Sequence, residues 1–225
     1  MTTKEFSDEF DMLFNNISSN QAPGLTEYEK SVFLTTAQDD LILELVTGKT
    51  ALGESFEKTE ELREYLTDIV KTATLEEYIG TEVKTITKDQ SKLYTPPEDL
   101  FTIVYELVSF NDTKLNCIPS KVEVIPITHD ELSKTIKNPF KKPNKNRVLR
   151  LNVGGAIELL TPYTISEYTI RYISKLDPII LEDIDTYGLS IKGENKKTEC
   201  KLNPALHKAI LSRAVSTAKT AIGVS

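Results

Sequence analysis

Apolar residues recur at helical spacing in three stretches near the start of the chain. In residues 4–17 they form one narrow stripe, and in residues 57–72 they group on a single face. The stretch between them, residues 26–47, opens with a capping box made by Thr26 and Glu29. The sequence therefore predicts three N-terminal helices.

The second of these helices carries apolar residues on two nearly opposite sides. One side has Phe33, Leu34, Ala37, Leu41 and Leu45, and the other has Tyr28, Val32, Ile42, Leu43 and Val46. One face can serve the chain's own core, whereas the other needs a second layer or another subunit. The alternative is that this helix is the central helix of a bundle. We take Phe33, Leu41 and Leu45 as candidate interface residues.

A fourth helix closes the chain. Asn203 is a good N-cap, Pro204 suits the first helical position and Gly223 provides a stop. Half of the helix surface is apolar, and the residues in the middle of that half are small, which permits close approach of a partner helix: Ala214, Ala218 and Ala221. His207 lies in the same apolar arc and is interpreted as a packing residue. We add His207, Ala214 and Ala218 to the candidate interface residues.

Between these helices the pattern is typical of β-strands. Val, Ile, Thr, Tyr and Phe are enriched and are punctuated by Pro, Asn, Asp and Gly in residues 81–87, 101–110, 121–128, 147–153, 156–160, 167–174 and 179–181. A short helix over 129–136 interrupts the run, and Gly154 and Gly155 indicate a hairpin turn. The predicted fold class is α+β: a helical body from residues 1–79 and 200–225, with a mostly antiparallel β insertion over 80–199.

Charge is distributed unevenly along the chain. The net charge is −7, yet residues 1–80 hold 17 acidic against 6 basic residues and the remainder 17 against 21. The two parts should attract each other, within a chain or between copies, and the acidic part is a poor nucleic-acid binder. No apolar run approaches the roughly 20 residues of a membrane span, and we expect no secretory signal. We expect synthesis in a cytoplasm.

The chain offers little catalytic chemistry. Residues 48–50 read GKT, but a phosphate-binding loop requires glycine where Leu43 stands. His129 and His207 have no metal ligands at suitable spacing, and the two cysteines, Cys117 and Cys200, are expected to be free thiols. A Cys200–His207 nucleophile and base pair lacks an orienting group. We predict no catalytic, cofactor or metal site, and no enzyme.

A basic loop is the strongest local signal. Six basic residues lie within a short stretch around Phe140: Lys137, Lys141, Lys142, Lys145, Arg147 and Arg150. Such a loop could touch nucleic acid, meet the acidic half of a neighbouring copy, or simply be solvated. We retain Lys141, Lys142, Lys145 and Arg147 as candidate interface residues.

Several segments together resemble a known family. They are residues 6–17 (FSDEFDMLFNNI), 19–25 (SNQAPGL), 28–38 (YEKSVFLTTAQ), 138–143 (NPFKKP) before the strand 148–151 (VLRL), 168–181 (YTIRYISKLDPIIL) and 200–218 with His207. Nearly the full length is similar to virion structural proteins of crAss-like, short-tailed bacteriophages.

This resemblance implies a head-to-tail adaptor. Many copies would form a ring, expected to be dodecameric, under the portal vertex of the virion, after synthesis in the cytoplasm of the host bacterium. Its partners would be the portal and other tail ring proteins, and DNA would pass through without sequence-specific binding. No cofactor or membrane is implied. The alternatives are a phage cargo or capsid accessory protein, and a small cytoplasmic enzyme or interaction module.

Overall fold

A computed structural model describes residues 1–15, 24–47, 60–85, 91–111 and 121–223. The chain divides into two compact units, one formed by Met1–Ile69 with Leu176–Ser225 and the other by Val70–Lys175. We call them the helical unit and the β unit. Both junctions fall earlier than the sequence placed them, at residues 80 and 199, and independent folding of the two units stays a prediction.

The helical unit is built on long helices from both ends of the chain. Its helices are α1 (Thr3–Asn15), α2 (Glu27–Thr47), α3 (Glu60–Tyr65) and α5 (Pro204–Ile222). Both α1 and α2 pack against α5. The core between them consists of large side chains from α1 and α2 and smaller ones from α5: Phe6, Phe10, Phe14, Leu34, Leu45, Ile210, Leu211, Ala214 and Ala218.

The predicted helix signals of α2 and α5 are confirmed. The backbone nitrogen of Thr26 donates to Glu29 Oε2 at 2.8 Å, and the backbone nitrogen of Glu29 donates to Thr26 Oγ1 at 3.3 Å. The Asn203 side chain accepts from the backbone nitrogen of Ala205 at 3.0 Å, and Gly223 ends α5 with φ 74°. These local contacts satisfy backbone groups that a helix terminus leaves unpaired, so neighbouring residues alone specify them.

A buried lysine joins α1 to α2. Lys30 Nζ donates to Asp11 Oδ2 at 2.6 Å, to Glu27 Oε1 at 2.8 Å and to Ser7 Oγ at 3.2 Å. Burial alone would lower the pKa of Lys30, but these partners outweigh it and raise the pKa. Lys30 therefore stays charged and ties the two helices together.

The prediction of a helix over residues 57–72 is wrong beyond its first turns. α3 ends at Tyr65, a short 3-10 helix covers Thr67–Ile69, and Val70–Thr74 is strand β1. The helical spacing of apolar residues favoured a helix, but a β-branched segment can equally pair with a strand distant in sequence. Residues 57–59 lie outside the described part.

The β unit contains one curled sheet. Its strands are β1 (Val70–Thr74), β2 (Ser91–Tyr94), β3 (Leu100–Phe110), β4 (Val122–Pro126), β5 (Val148–Val153), β6 (Ala156–Leu160) and β7 (Ile165–Ser174), in the spatial order β1-β7-β3-β4-β5-β6-β2. Among these strands only the β4–β5 pair is parallel. The predicted α+β class and the mostly antiparallel sheet are confirmed.

Backbone hydrogen bonds connect strand β2, at one edge of the sheet, to the residues that follow β1 at the other edge. Beyond β1, the backbone nitrogen of Tyr78 donates to Leu93 O at 2.8 Å, and that of Thr95 donates to Glu76 O at 3.0 Å. Glu77 and Tyr94 form a bridge between these bonds. The sheet therefore curls on itself around a core that includes Val108, Val148, Ile157, Leu159, Tyr168 and Ile170.

Helix α4 (His129–Lys137) makes the crossover between the parallel strands β4 and β5. Its Leu132 packs on the opposite face of the sheet from that core, against Leu149, Leu151 and Leu160. The predicted helix at this place is confirmed, as is the turn between β5 and β6, where Gly154 and Gly155 have φ of 55° and 85°.

Two predicted strands are wrong. Residues 81–85 are irregular, and the rest of that prediction, residues 86 and 87, lies outside the described part. Residues 179–181 do not join the sheet; Ile180 forms an isolated bridge with Thr198 in the helical unit. Strands β1 and β2 were not predicted as strands.

Candidate assembly surfaces

The second face of α2 is covered in part by the chain itself. Tyr28 and Val32 pack against a cluster of buried isoleucines from the segment that follows the β unit: Ile180, Ile184 and Ile191. This segment is the second layer that the two-sided pattern of α2 required. Farther along the same face, Leu43 is 50% exposed.

Polar side chains of α2 hold this segment by its backbone. Leu181 N donates to Ser31 Oγ at 3.0 Å, Ile179 N donates to Thr35 Oγ1 at 3.1 Å, and Gln38 Nε2 donates to Asp177 O at 3.0 Å. All three side chains are buried. The three helix residues are four and three positions apart, so they lie on one face of α2. Their partners 181, 179 and 177 are alternate residues of an extended segment. We call Ser31, Thr35 and Gln38 the polar row of α2.

Phe33 lies at an apolar pocket of the helical unit. It is partly buried, and the pocket, of about 390 Å³, is lined by Gly24, Leu25, Tyr28, Glu29, Val32, Phe33 and Ile222. The Glu29 carboxylate accepts from Thr26, and these hydrogen bonds, from the backbone first, lower its pKa. Among its described residues, the helical unit therefore has an apolar pocket with an anionic group in its lining.

Most other candidates from the helices lie inside the unit. Leu45, His207, Ala214 and Ala218 are buried, and Leu41 is partly buried. The small side chains of Ala214 and Ala218 allow α5 to pack closely against α1 and α2. Ala221, which shared the predicted apolar arc, is exposed instead. The buried members therefore contribute to the packing of the helical unit.

His207 is a structural residue in this setting. Its Nε2 lies 2.9 Å from Leu202 O, its Nδ1 lies 2.6 Å from the amino group of Met1, and its ring lies 5.4 Å from that of Phe6. Burial lowers the pKa of His207. Both ring nitrogens are occupied, and the interpretation of His207 as a packing residue fits this geometry better than a catalytic base.

The basic loop of the β unit is held by internal hydrogen bonds. Asn138 Oδ1 accepts from Phe140 N at 2.9 Å, the Arg147 guanidinium donates to Phe140 O, and Asn144 pairs with Arg147 through two backbone hydrogen bonds of 3.0 Å. Phe140 is 86% exposed. Arg147 is therefore a clamp that fixes the loop, whereas Lys141, Lys142 and Lys145 are exposed around the phenylalanine ring.

A smaller cavity lies beside this loop. It has a volume of about 280 Å³ and is lined by Ile125, Pro126, Ile127, Glu131, Thr135, Lys141, Arg147 and Leu149. Apolar residues of β4 and β5 therefore lie close to the cations of the loop. The loop and this cavity form one mixed basic and apolar surface.

The sequence did not predict one buried polar group of the β unit. Glu106, which is 5% exposed, accepts from Tyr168 Oη at 2.6 Å and forms an ion pair with Arg150 Nε at 3.1 Å. Burial raises the pKa of Glu106, and its two partners oppose that rise. Its place in β3, two residues before buried Val108, was the only available signal, because alternate residues of a strand share a face.

The described residues offer little evidence for metal binding, membrane insertion or a reactive thiol. No cluster of potential metal ligands occurs within the described ranges, and no helix among the described residues is long and apolar enough to cross a membrane. Cys200 is a free thiol whose Sγ lies 3.4 Å from Gln38 Oε1, and burial raises its pKa, which disfavours the thiolate. Cys117 and the GKT at 48–50 lie outside the described residues.

Comparison with known proteins gives these surfaces a context. Residues 1–224 match the family described as phage tail ring protein 3/4. The chain is 42% identical over 221 residues to Ring protein 3 of Bacteroides phage crAss001, across 97% of this chain and 95% of that protein. It is 35% identical over 231 residues to Ring protein 4/5 of the same phage, across 98% and 93% of the two chains.

These names describe structural components rather than enzymes, in agreement with the prediction that the chain is not an enzyme. The predicted resemblance to crAss-like phage virion proteins is confirmed over almost the whole chain. The chain belongs to the phage tail ring protein 3/4 family.

Proposed function

We propose that this protein is the subunit of a homo-oligomeric ring in the bacteriophage tail, placed between portal and tail at the portal vertex and surrounding the channel of the genome. The observation that carries the proposal is the family match over residues 1–224, together with two relatives named as ring proteins. In such a subunit the three N-terminal helices and α5 act as one helical body.

The charge of the two units supports assembly by unlike surfaces. The helical unit has 21 acidic against 12 basic residues, a net charge of −9, and the β unit has 13 against 15, a net charge of +2. A ring requires a head-to-tail interface between two different patches of the same chain. Opposite charge on two patches favours that arrangement over self-association of one patch.

We propose a dodecameric ring that contacts the portal and neighbouring tail rings. An acidic channel wall would repel DNA phosphates and offer no basic sites for tight binding. The genome then passes without sequence-specific contact. This channel requires neither a cofactor nor a membrane.

Quantitative mass spectrometry and electron cryomicroscopy of purified particles test the function together. We expect a fixed copy number equal to that of the portal or a simple multiple, and density for a closed ring in the tail. A variable copy number, or density inside the head, would instead identify a cargo or capsid accessory protein. Absence of the chain from purified particles would remove the proposal.

A further inference from the structure

Phe140 has the features of an interface anchor. Its ring is 86% exposed, while its backbone nitrogen and oxygen are both held, by Asn138 and Arg147. A side chain on a fixed backbone loses little conformational freedom when a partner covers it. Buried aromatic anchors commonly carry much of the affinity of an interface.

The pocket on the helical unit suits such an anchor. Its volume of about 390 Å³ accommodates a phenyl ring, since pockets of roughly 300 Å³ and above hold larger molecules. Tyr28, Val32 and Phe33 provide apolar and aromatic contacts in its lining. A phenylalanine placed there would remove on the order of 150–250 Å² of its own surface from water.

Charge complements this fit. Exposed lysines surround Phe140, and the pocket includes Glu29 within a unit of net charge −9. The capping box with Thr26 fixes the Glu29 carboxylate. Opposite charges beside an apolar contact add specificity and accelerate association.

We propose that Phe140 of one copy inserts into the pocket at Tyr28, Val32 and Phe33 of the neighbouring copy, with Lys141 and Lys142 against the acidic surface that includes Glu29. This inference rests on the proposed ring. Because the anchor and the pocket are different parts of one chain, each copy donates its anchor to the next. The contact is therefore heterologous and can close into a ring.

Cysteine cross-linking in assembled particles tests this contact. In a Cys117→Ser, Cys200→Ser background, one variant carries Phe140→Cys with Phe33→Cys, and a second carries Lys141→Cys with Glu29→Cys. Each replaces the wild-type chain during infection, and purified particles are oxidised mildly. We expect at least one variant to give a ladder of covalent dimers, trimers and larger oligomers on a non-reducing gel, because the contact repeats around the ring. The control pair, Phe101→Cys with Phe33→Cys, should remain monomeric.

Three results would overturn the inference. One is that both variants enter particles and remain monomeric, another is a disulfide within one chain, and the third is a species that stops at the dimer. Should these particles still show a ring by electron cryomicroscopy, the proposed function stands and only this contact fails. Absence of a ring from wild-type particles would remove the function itself.

Loss of the anchor provides a second test. Phe140→Ala should weaken subunit association about 30-fold, the equivalent of about 2 kcal/mol, with an unchanged melting temperature, whereas Phe101→Ala should have little effect. Lys141→Glu with Lys142→Glu should also weaken association. If these lysine variants assemble normally but lose affinity for DNA, the loop is a DNA contact and the inference is wrong.

Discussion

At the scale of single residues, the buried Glu106 carboxylate of the β unit requires partners from other strands. Its neighbours Tyr168 and Arg150 come from β7 and β5, so the group holds three strands in one arrangement. Charge removed from water is costly unless it is paired and hydrogen-bonded. Glu106 is therefore tolerated in the interior only while both Tyr168 and Arg150 are present.

Arg150→Met should destabilise the protein by about 3 kcal/mol, because it leaves a buried carboxylate without its cation. Burial already raises the pKa of Glu106, and loss of Arg150 should raise it further. A raised folded pKa favours folding below the unfolded pKa, and this contribution is lost as the pH rises through the folded value. The loss of stability caused by Arg150→Met should therefore be larger at pH 7 than at pH 4.5. The free energy of unfolding in urea measures it.

The exposed Arg171 supplies a control for this experiment. Arg171→Met removes an equal charge from β7 and should change the free energy of unfolding by less than about 0.5 kcal/mol. A deficit for Arg150→Met that is small, or the same at both pH values, would show that the ion pair does not stabilise the fold.

The sequence predicted single residues only where their partners are near in sequence. Thr26 with Glu29, and Asn203 at the start of α5, were predicted correctly because a cap involves residues within one turn. Glu106 and Tyr168 are 62 positions apart, and no local pattern pairs them. Lys30 was missed for a similar reason, since its partner Asp11 belongs to another helix.

At the scale of elements, the polar row of α2 replaces a neighbouring strand. Residues 179–181 have the composition of a strand, but side chains of a helix accept and donate their hydrogen bonds. A buried backbone segment must find such partners somewhere. Hydrophobic periodicity records only burial, and it could not distinguish a sheet from a polar row as that partner.

Thr35→Val should cost about 1–3 kcal/mol, because the hydroxyl both accepts from Ile179 N and donates to Ile179 O. The matched control is Thr36→Val one residue later, where an exposed hydroxyl bonds to Val32 O of the same helix. Urea denaturation of the two variants gives the comparison. Equal stability would mean that the segment does not depend on the polar row.

Ala214→Glu should prevent stable folding of the helical unit, because α5 has no room for a carboxylate at this fully buried position. Ala209→Glu places the same residue on the exposed side of the same helix and should be tolerated. Circular dichroism melting and the yield of soluble protein distinguish them. Normal solubility and a normal melting temperature for Ala214→Glu would contradict the predicted close packing.

At the scale of the whole molecule, the sequence predicted the α+β class but not every segment that joins the sheet. Strand β1 lies within a segment predicted as a helix, and residues 179–181 were predicted as a strand although Ile180 packs against α2. Both errors concern segments whose structure depends on distant partners. Of the ten candidate interface residues, burial separates Leu45, His207, Ala214 and Ala218 from the exposed lysines, which periodicity alone could not do.

We propose that the β unit folds independently, and that a fragment of residues 70–175 should unfold cooperatively. It contains every strand of the curled sheet and the residues that join β1 to β2. The control fragment, residues 80–199, lacks β1 and residues 76–78, and should melt at a lower temperature or without cooperativity. Circular dichroism of both fragments tests this, and an unstructured 70–175 fragment would contradict it.

The pairing of β1 with β7 has a consequence for how the protein can change. Val70 lies opposite Ile173, so the chain enters and leaves the β unit at two neighbouring points. The two chain connections of the β unit therefore lie side by side. Residues can be inserted, deleted or exchanged between these two points while the distance between the two connections stays the same. One helical body could in this way carry different β units, which offers related rings a simple route to different neighbours.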